Sequence, residues 1–394
     1  MTGASAAPGS TPDGRTARSV LLAGGGTAGH VNPLLAVADE LRRRDPEMVL
    51  TVLGTERGLE STLVPARGFP LALVPRVPMP RRPTLDWFRL PGRLAAAVRA
   101  AGAAIDRSGA QVVVGFGGYV STPAYLAARR RGVPVVIHEA NARPGLANRL
   151  GARWARSVTV TFPGTPLPRA QVVGMPLRAD VVAVVEAMAD RERARAEAAA
   201  ALALDPARVT LLVTGGSLGA QRLNRVMAAF GPDVLAAGAQ VLHLTGRGKA
   251  DEVLADLGAG AVGREALESG RYVVREYLVE MEHAYALADL VVCRAGAATV
   301  SELAALGLPA VYVPLPIGNG EQRFNAVPVV DAGGGILVAD ADLGIEWLRE
   351  NVLPLLAGAV AGDGRLRDMG VAAARVGVRD GAARVADIVE EALR

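Results

Sequence analysis

Two stretches of this chain open in the same way. Leu21–His30 reads LLAGGGTAGH and Leu211–Gln221 reads LLVTGGSLGAQ. In each, an apolar run of strand length passes through a tight glycine turn into the start of a helix. A chain that repeats strand, glycine turn and amphipathic helix is confined to parallel sheets with right-handed crossovers. Strands are predicted over Ser19–Ala23, Met48–Leu53, Leu71–Val74, Gln111–Val114, Val133–His138 and Ser157–Thr161, with a helix over Val31–Arg44. After a charged Ala/Arg/Glu helix around Ala187–Leu202 the rhythm restarts. Its strands are predicted over Val209–Thr214, Gln240–Thr245, Arg271–Val274, Asp289–Cys293, Ala310–Val313 and Gly335–Ala339. Runs such as Gln111–Gly115 and Val133–Ile137 lack polar alternation, as strands buried on both faces do. Two such series predict two doubly wound α/β domains.

The boundaries follow from where these patterns fail. Residues 1–18 are small and polar, lack the apolar stretch of a secretory signal, and are predicted to be a disordered tail. One domain is expected over 19–177 and a second over 178–374, with the linker near Gly174-Met-Pro-Leu-Arg178, where Gly and Pro break both periods. The last helix, about Gly381–Leu393 within 375–394, has either domain to pack against, the first included.

Composition narrows the function classes. Hydrophobic residues make up 51% of the chain and mean hydropathy is +0.27, which raises the question of a membrane protein. No run approaches the roughly 20 apolar residues a spanning helix needs. Cys293 is the only cysteine, so no internal disulfide forms, as suits a reducing compartment, and the residue reads as a small buried hydrophobe. The net charge of +4 is compatible with anionic ligands or lipid surfaces. Nucleic acid is not expected as a partner: aromatics are 4%, and no basic stripe interleaves with them.

Gly24-Gly-Gly-Thr-Ala-Gly29 fits G-x-G-x-x-G, where glycine lets a phosphate approach a helix N-terminus. Alone it also suits a nicotinamide dinucleotide site, with Glu56 near the place of a ribose-binding acid, or a turn serving packing only. His30 follows at once. A helix N-terminus disfavours imidazolium, so a neutral ring there can take a proton from a hydroxyl; a structural or capping histidine is the plain alternative. Gly215-Gly-Ser-Leu-Gly-Ala220 is a second phosphate-type turn, in which Ser217 adds a hydroxyl. Arg294-Ala-Gly-Ala-Ala-Thr-Val-Ser-Glu302 is a third, placing Glu302 in the first turns of a helix, where it can accept from ribose hydroxyls. The polar loop 314–322 ends on Gln322, a potential sugar contact. Three ligand-type loops at the ends of separate strands are better explained by one converged site than by coincidence. No metal or other cofactor is expected. The four histidines His30, His138, His243 and His283 are widely spaced, His243 reads as core, and Asp340-Ala-Asp342 is only formally a metal-binding D-x-D.

Taken together, the motifs resemble the MurG family, the GT-B-fold N-acetylglucosaminyltransferases of peptidoglycan synthesis. They are GGGTAGHVNP from Gly24, GFGGYVSTPA from Gly115, HEANARPGLAN from His138, GMPLR from Gly174, GGSLGAQRLN from Gly215, CRAGAATVSELAALGLPAVYVPLP from Cys293 and NGEQRFNA from Asn319. The resemblance runs from about Ser19 to the C-terminus in the family's order. It implies two Rossmann-like domains facing each other across a cleft, the first on the acceptor and membrane side and the second binding the UDP-sugar. It implies inverting transfer of N-acetylglucosamine from UDP-N-acetylglucosamine to undecaprenyl-diphospho-N-acetylmuramoyl-pentapeptide (lipid I). The products are lipid II and UDP, in the service of cell-wall biogenesis, cell shape and cell division. It further implies that Thr27, Ala28 and Gly29 line the first loop, His30 is the candidate base, Asn141 contacts the donor sugar, and Arg178 and Ser217 hold the diphosphate. Leu278 sits at the uracil. Ala297, Ala298, Thr299, Val300, Ser301 and Glu302 form the loop around diphosphate and ribose, Gln322 binds the sugar, and Tyr119 lies on the acceptor side. Ala28, Ala140, Leu218 and Gln221 depart from the usual pattern without removing a donor contact.

An acceptor anchored in lipid requires the enzyme to reach the bilayer. Val74–Arg93 carries Arg76, Arg81, Arg82, Arg89 and Arg93 among Val77, Met79, Leu85, Trp87, Phe88 and Leu90. This composition predicts peripheral contact with anionic lipid on the cytoplasmic side of the cell membrane. Other readings are a GT-B enzyme with another acceptor, a UDP-sugar epimerase on the same fold, and a non-catalytic nucleotide-sugar-binding scaffold. A dehydrogenase explains only the first glycine turn.

Overall fold

In β1 (Ser19–Ala23) the apolar residues divide between two cores. Val20 and Leu22 pack with Val31, Leu34 and Val37 of the helix Ala28–Arg44, whereas Leu21 and Ala23 pack with Val98, Ala101 and Ile105 of the helix Asp86–Ser108. Successive side chains of a strand point to opposite faces, so a sheet covered on both sides needs an unbroken apolar run. The computed structural model describes residues 17–77, 86–216, 220–317 and 320–394.

The chain divides into two units, Met1–Arg178 with Asp380–Arg394, and Ala179–Arg379. In the first, β1 is joined by β2 (Val49–Gly54), β3 (Leu71–Leu73), β4 (Val112–Gly115), β5 (Val135–Glu139), β6 (Ser157–Val160) and β7 (Ala170–Val172). Their order is β3-β2-β1-β4-β5-β6-β7. Every pairing is parallel, Leu22 lying opposite Val52 on one side and Val114 on the other. The second unit holds β8 (Thr210–Thr214), β9 (Gln240–Leu244), β10 (Tyr272–Arg275), β11 (Leu290–Cys293), β12 (Ala310–Tyr312) and β13 (Gly335–Leu337), in the order β10-β9-β8-β11-β12-β13. It too is wholly parallel. The order reverses at β1/β4 in one sheet and at β8/β11 in the other. Each reversal opens a crevice at the carboxyl ends of the strands, where open α/β sheets bind ligands.

The last helix, Gly381–Ala392, belongs to the first unit. Its Val385, Ala386 and Val389 join the core of the helix Ala28–Arg44. Arg44 reaches across to Asp387 at 2.6 Å and Glu390 at 3.3 Å. The charged segment predicted as one helix is divided: Ala179–Ala187, a 3-10 turn Met188–Asp190, then Arg191–Leu202. Asp190 is the reason. Its carboxylate accepts the Arg193 N–H at 3.2 Å and so caps a fresh helix.

Candidate active site

The first glycine turn is filled by the chain itself. Gly26 has φ +90°, Thr27 is the extended residue before the helix, and Ala28 and Gly29, expected in the loop, form the first helical turn instead. The acid near the turn is Glu60 rather than Glu56, which points to solvent. Glu60 is fully buried. Its Oε2 accepts the Gly26 N–H at 2.9 Å, and its Oε1 accepts the Thr55 N–H at 3.0 Å and the Thr55 hydroxyl at 2.8 Å. A Cβ on Gly25 would lie 2.6 Å from Glu60 Oε1, and one on Gly54 2.5 Å from its Cγ, so these glycines make room for the carboxylate. Burial pushes its pKa up, but the donors at Gly26 and Thr55 outweigh that and hold it below the usual carboxylate value. The Gly26 amide therefore already has an anionic acceptor, which leaves little of the dinucleotide reading.

His30 is half-buried as the third residue of the helix, with Nδ1 3.1 Å from Thr27 Oγ1. Desolvation is the main cause holding its pKa below 6.5, against the opposing pull of the Gly25 backbone and the Glu60 charge. The neutral ring expected from the helix N-terminus is thus favoured mainly by enclosure. The enclosing wall is the loop after β4. A Cβ on Gly117 would sit 3.1 Å from His30 Nε2, and one on Gly118, where φ is +78°, 2.5 Å from the Gly25 carbonyl oxygen. The two loops are in backbone contact across the β1/β4 reversal. Tyr119 lies over Gly26, and Arg76 donates to its hydroxyl at 3.1 Å while stacking 5.1 Å from its ring.

Asn141 follows β5. Its N–H donates at 2.9 Å to Glu139, which is buried, also accepts the Gly145 N–H at 3.0 Å and the Asn148 side-chain amide at 2.9 Å, and has its pKa raised by burial. Asn148 in turn accepts from the buried Tyr125 hydroxyl at 2.7 Å. This chain of bonds fixes the loop bearing Asn141 to the sheet. Arg178, half-buried, ends the first unit's long segment.

In the second unit the candidates stand outside the carboxyl ends of β10, β11 and β12. Leu278 is half-buried after β10. Ala297, Ala298, Thr299, Val300 and Ser301, expected in a loop, are the first five residues of the helix Ala297–Leu306, and Glu302 follows them in the early helix, where its position was expected. The reason is local: the preceding Gly296 is extended and can act as N-cap, and Ala, Val and Leu continue a helical period. No side chain caps this helix start and no acid occupies its first turn. Glu302 is buried and accepts from the Tyr285 hydroxyl at 2.8 Å. Gln322, in the first turn of the helix Glu321–Asp331, accepts the Leu315 N–H at 2.9 Å and so closes its own loop. Ser217 lies outside the described residues. Asp340 meets Arg294 Nη1 at 2.6 Å, an ion pair between two partly buried groups. Its D-x-D partner Asp342 is exposed. A cavity of about 460 Å³, lined by Leu308, Pro309, Leu366 and Val371, opens at the opposite, amino ends of β11 and β12, away from all these residues.

Comparison with known proteins now decides the family. The glycosyltransferase family 28 N-terminal domain matches residues 20–160, and the family's C-terminal domain matches 210–384. The chain belongs to glycosyltransferase family 28. It is 56% identical over 94% of its length to a Nocardioides protein, of which 97% is covered, and 52% identical over 95% of its length to one from Streptomyces coelicolor, of which 98% is covered. Both relatives bear the name UDP-N-acetylglucosamine–N-acetylmuramyl-(pentapeptide) pyrophosphoryl-undecaprenol N-acetylglucosamine transferase. Among solved structures, Acinetobacter baumannii MurG aligns with a TM-score of 0.73 at 27% identity, covering 95% of this chain and 99% of that one. A Neisseria meningitidis UDP-GlcNAc 2-epimerase, at 14% identity and a TM-score of 0.64, shares the fold alone. The GT-B architecture and the family resemblance read from the motifs are borne out, and the chain is a glycosyltransferase.

No role was read from the sequence for Glu60, Glu139, Asn148 or Tyr285, although Glu139 and Asn148 stand in the motif from His138. Each is a polar residue with a partner on another element, which the sequence does not show.

The segment proposed for the membrane is partly accounted for. Val74 and Val77 are buried and so do not face a bilayer, whereas Arg76 is exposed and donates to the Tyr119 hydroxyl. Residues 78–85, with Arg81 and Arg82, lie outside the described residues. No helix among the described residues is long and apolar enough to cross a membrane.

Proposed function

We propose that this glycosyltransferase moves N-acetylglucosamine from UDP-N-acetylglucosamine to the muramoyl 4-hydroxyl of undecaprenyl-diphospho-N-acetylmuramoyl-pentapeptide. The observation that carries the reading is identity of 56% and 52%, over nearly the whole chain, to proteins that bear this name. The acceptor oxygen attacks the anomeric carbon, the bond to the diphosphate breaks with inversion, and the hydroxyl proton passes to His30. A ring kept neutral by enclosure suits that role. The departing diphosphate gains negative charge. The uncapped N-terminus of the helix Ala297–Leu306 and the Arg178 guanidinium supply N–H donors for it, together with Ser217. Glu302 accepts from the ribose, Leu278 lies against the uracil, and Asn141 and Gln322 bond the transferred sugar. Thr27, Ala28, Gly29 and Tyr119 face the acceptor.

The polyprenyl tail of such an acceptor stays in the bilayer, so the enzyme works as a peripheral protein at the cytoplasmic leaflet. Arg81, Arg82, Arg89 and Arg93 are the groups we assign to anionic lipid. Arg81→Glu with Arg82→Glu abolishes sedimentation with anionic liposomes if this is right; unchanged sedimentation removes the assignment.

The reaction is tested with radiolabelled UDP-N-acetylglucosamine and a short-chain lipid I analogue, with and without chelator. Labelled product insensitive to chelator supports both acceptor and charge handling by protein groups. Donor binding without product would move the acceptor elsewhere.

A further inference from the structure

Arg76 stands just past the carboxyl end of β3, exposed and permanently charged. Its place is fixed from both sides. Val74 and Val77 are buried, and the Val74 N–H donates to the Gly54 carbonyl at 2.9 Å. The guanidinium stacks 5.1 Å from the Tyr119 ring and donates to its hydroxyl at 3.1 Å. Tyr119 follows β4, three strands away in the order β3-β2-β1-β4, a span of about 14 Å. The contact therefore reaches across the carboxyl ends of β2 and β1 and passes over the first glycine turn, where a Cβ on Gly26 would lie 3.1 Å from the Tyr119 hydroxyl. Among the described residues no carboxylate pairs with Arg76. The phenol oxygen accepts from Arg76 and keeps its own proton to donate. A full positive charge and a second donor thus stand above a turn whose own Gly26 amide is taken up by Glu60.

We propose that Arg76, with the Tyr119 hydroxyl, binds the diphosphate of the acceptor. The inference rests on the reading of the acceptor as a muramoyl sugar carried on a lipid diphosphate. In such a molecule the diphosphate is at C1, across the ring from the attacking 4-hydroxyl. The protein offers a matching separation. Gly117 lies against His30, and Tyr119, which holds Arg76, is two residues further on. Two residues span at most about 7 Å, the scale of one pyranose ring. With its diphosphate on Arg76, the sugar lies along Gly117–Tyr119 and its 4-hydroxyl arrives at His30. Glu60 contributes by exclusion, because its buried charge keeps the diphosphate from entering the turn and carrying the sugar past the base. A lipid headgroup carries the same phosphate chemistry, and the test separates the two sources.

Wild type, Arg76→Ala and Arg76→Lys are assayed without any bilayer on two acceptors: a short-chain lipid I analogue, and the same muramoyl-pentapeptide as a neutral C1 alkyl glycoside. A hydrogen bond between charged groups corresponds to a wild-type preference of about tenfold to a hundredfold in kcat/KM for the diphosphate acceptor. Arg76→Ala is expected to lose most of that preference through a raised KM for the diphosphate acceptor, with the KM for UDP-N-acetylglucosamine at its wild-type value. Arg76→Lys keeps the charge without the planar fork and is expected to recover part of it. An unaltered preference in Arg76→Ala overturns the proposal, and so does a wild type with no preference between the two acceptors. Equal slowing of Arg76→Ala on both acceptors makes Arg76 a support for Tyr119 only, and also overturns it. Lost sedimentation with phosphatidylglycerol vesicles alongside an unaltered preference assigns Arg76 to lipid headgroups instead. A wild type that binds UDP-N-acetylglucosamine but transfers to neither acceptor overturns the reading of the acceptor on which the proposal rests.

Discussion

Replacing Glu60 by alanine tests whether the first glycine loop is held by its own carboxylate. Three donors converge on that side chain: the Gly26 and Thr55 amides and the Thr55 hydroxyl. The hydroxyl can turn elsewhere; the amides cannot. Each buried donor left without an acceptor costs about 1–3 kcal/mol, so the two amides together predict a loss of about 2–6 kcal/mol. Glu60→Gln keeps the shape and one acceptor oxygen but turns an NH2 group towards the other donors, and should fall between. Urea unfolding gives the magnitude, and hydrogen exchange at Gly26 and Thr55 gives the location. The effect has a defined pH window. The folded-state pKa of Glu60 lies below its ordinary value, so its stabilisation is present above about 4.5 and fades as pH falls through the folded value. The gap between wild type and Glu60→Gln should therefore close in acid. Glu60 also pulls the His30 pKa upward, so its neutralisation should move the acid limb of the rate profile to lower pH. A Glu60→Ala protein within about 0.5 kcal/mol of wild type, with Gly26 exchange unaltered, would falsify this account of the loop.

Three further outcomes follow from the same geometry. His30→Ala should slow transfer by about 10²–10⁴-fold while leaving UDP affinity intact, as measured by steady-state rates and calorimetry; a comparable loss of UDP binding would rule out a base role. Gly118→Ala forces a left-handed backbone and a Cβ 2.5 Å from the Gly25 carbonyl oxygen, so it should cost about 1–3 kcal/mol in urea unfolding and most of the activity, and a neutral substitution would show that the two loops do not pack as described. His243 is buried between Tyr272 and Asn224, and burial takes its pKa from 6.5 to about 3. Its folded value is depressed, so the unfolded chain binds the extra proton, and stability should fall by about 1.4 kcal/mol per pH unit below 6.5 until the folded value is reached. The slope is read by comparing urea midpoints of wild type and His243→Asn at pH 7 and 5, and parallel profiles would refute it.

What could be read from the sequence divides along physical lines. Strands buried on two faces announce themselves by unbroken apolar runs, and twelve of the thirteen strands among the described residues fall on predicted segments. The exception, β7, is a three-residue edge strand of Ala170–Val172, partly solvent-facing, with no run to detect. Helix starts were less legible. The helices from Ala28 and Ala297 begin without a side-chain cap, so the expected loops extended too far into them. Glycine turns mark where a ligand can approach because they are continuous in sequence. The supports behind them are not: Glu60 meets a residue 34 positions away and Tyr125 one 23 positions away. Only folding brings such pairs together, and an isolated acid or amide carries no mark of its partner.

The same strand–turn–helix unit has been put to opposite electrostatic uses in the two halves. After β1, the Gly26 amide is occupied by the chain's own buried anion, so a second anion arriving there meets an existing negative charge rather than an open donor. After β11, the helix starts on Gly296, and among the described residues no side chain caps it and no acid stands in its first turn. On the proposed reading, a diphosphate is stabilised at the second and disfavoured at the first. The neutral chemistry of a sugar hydroxyl and an uncharged imidazole is compatible with the first. On the proposed reading, division of labour between donor and acceptor halves is set less by the glycine turns than by where a glutamate stands relative to each: Glu60 turned into the loop, Glu302 beyond the first turn of its helix.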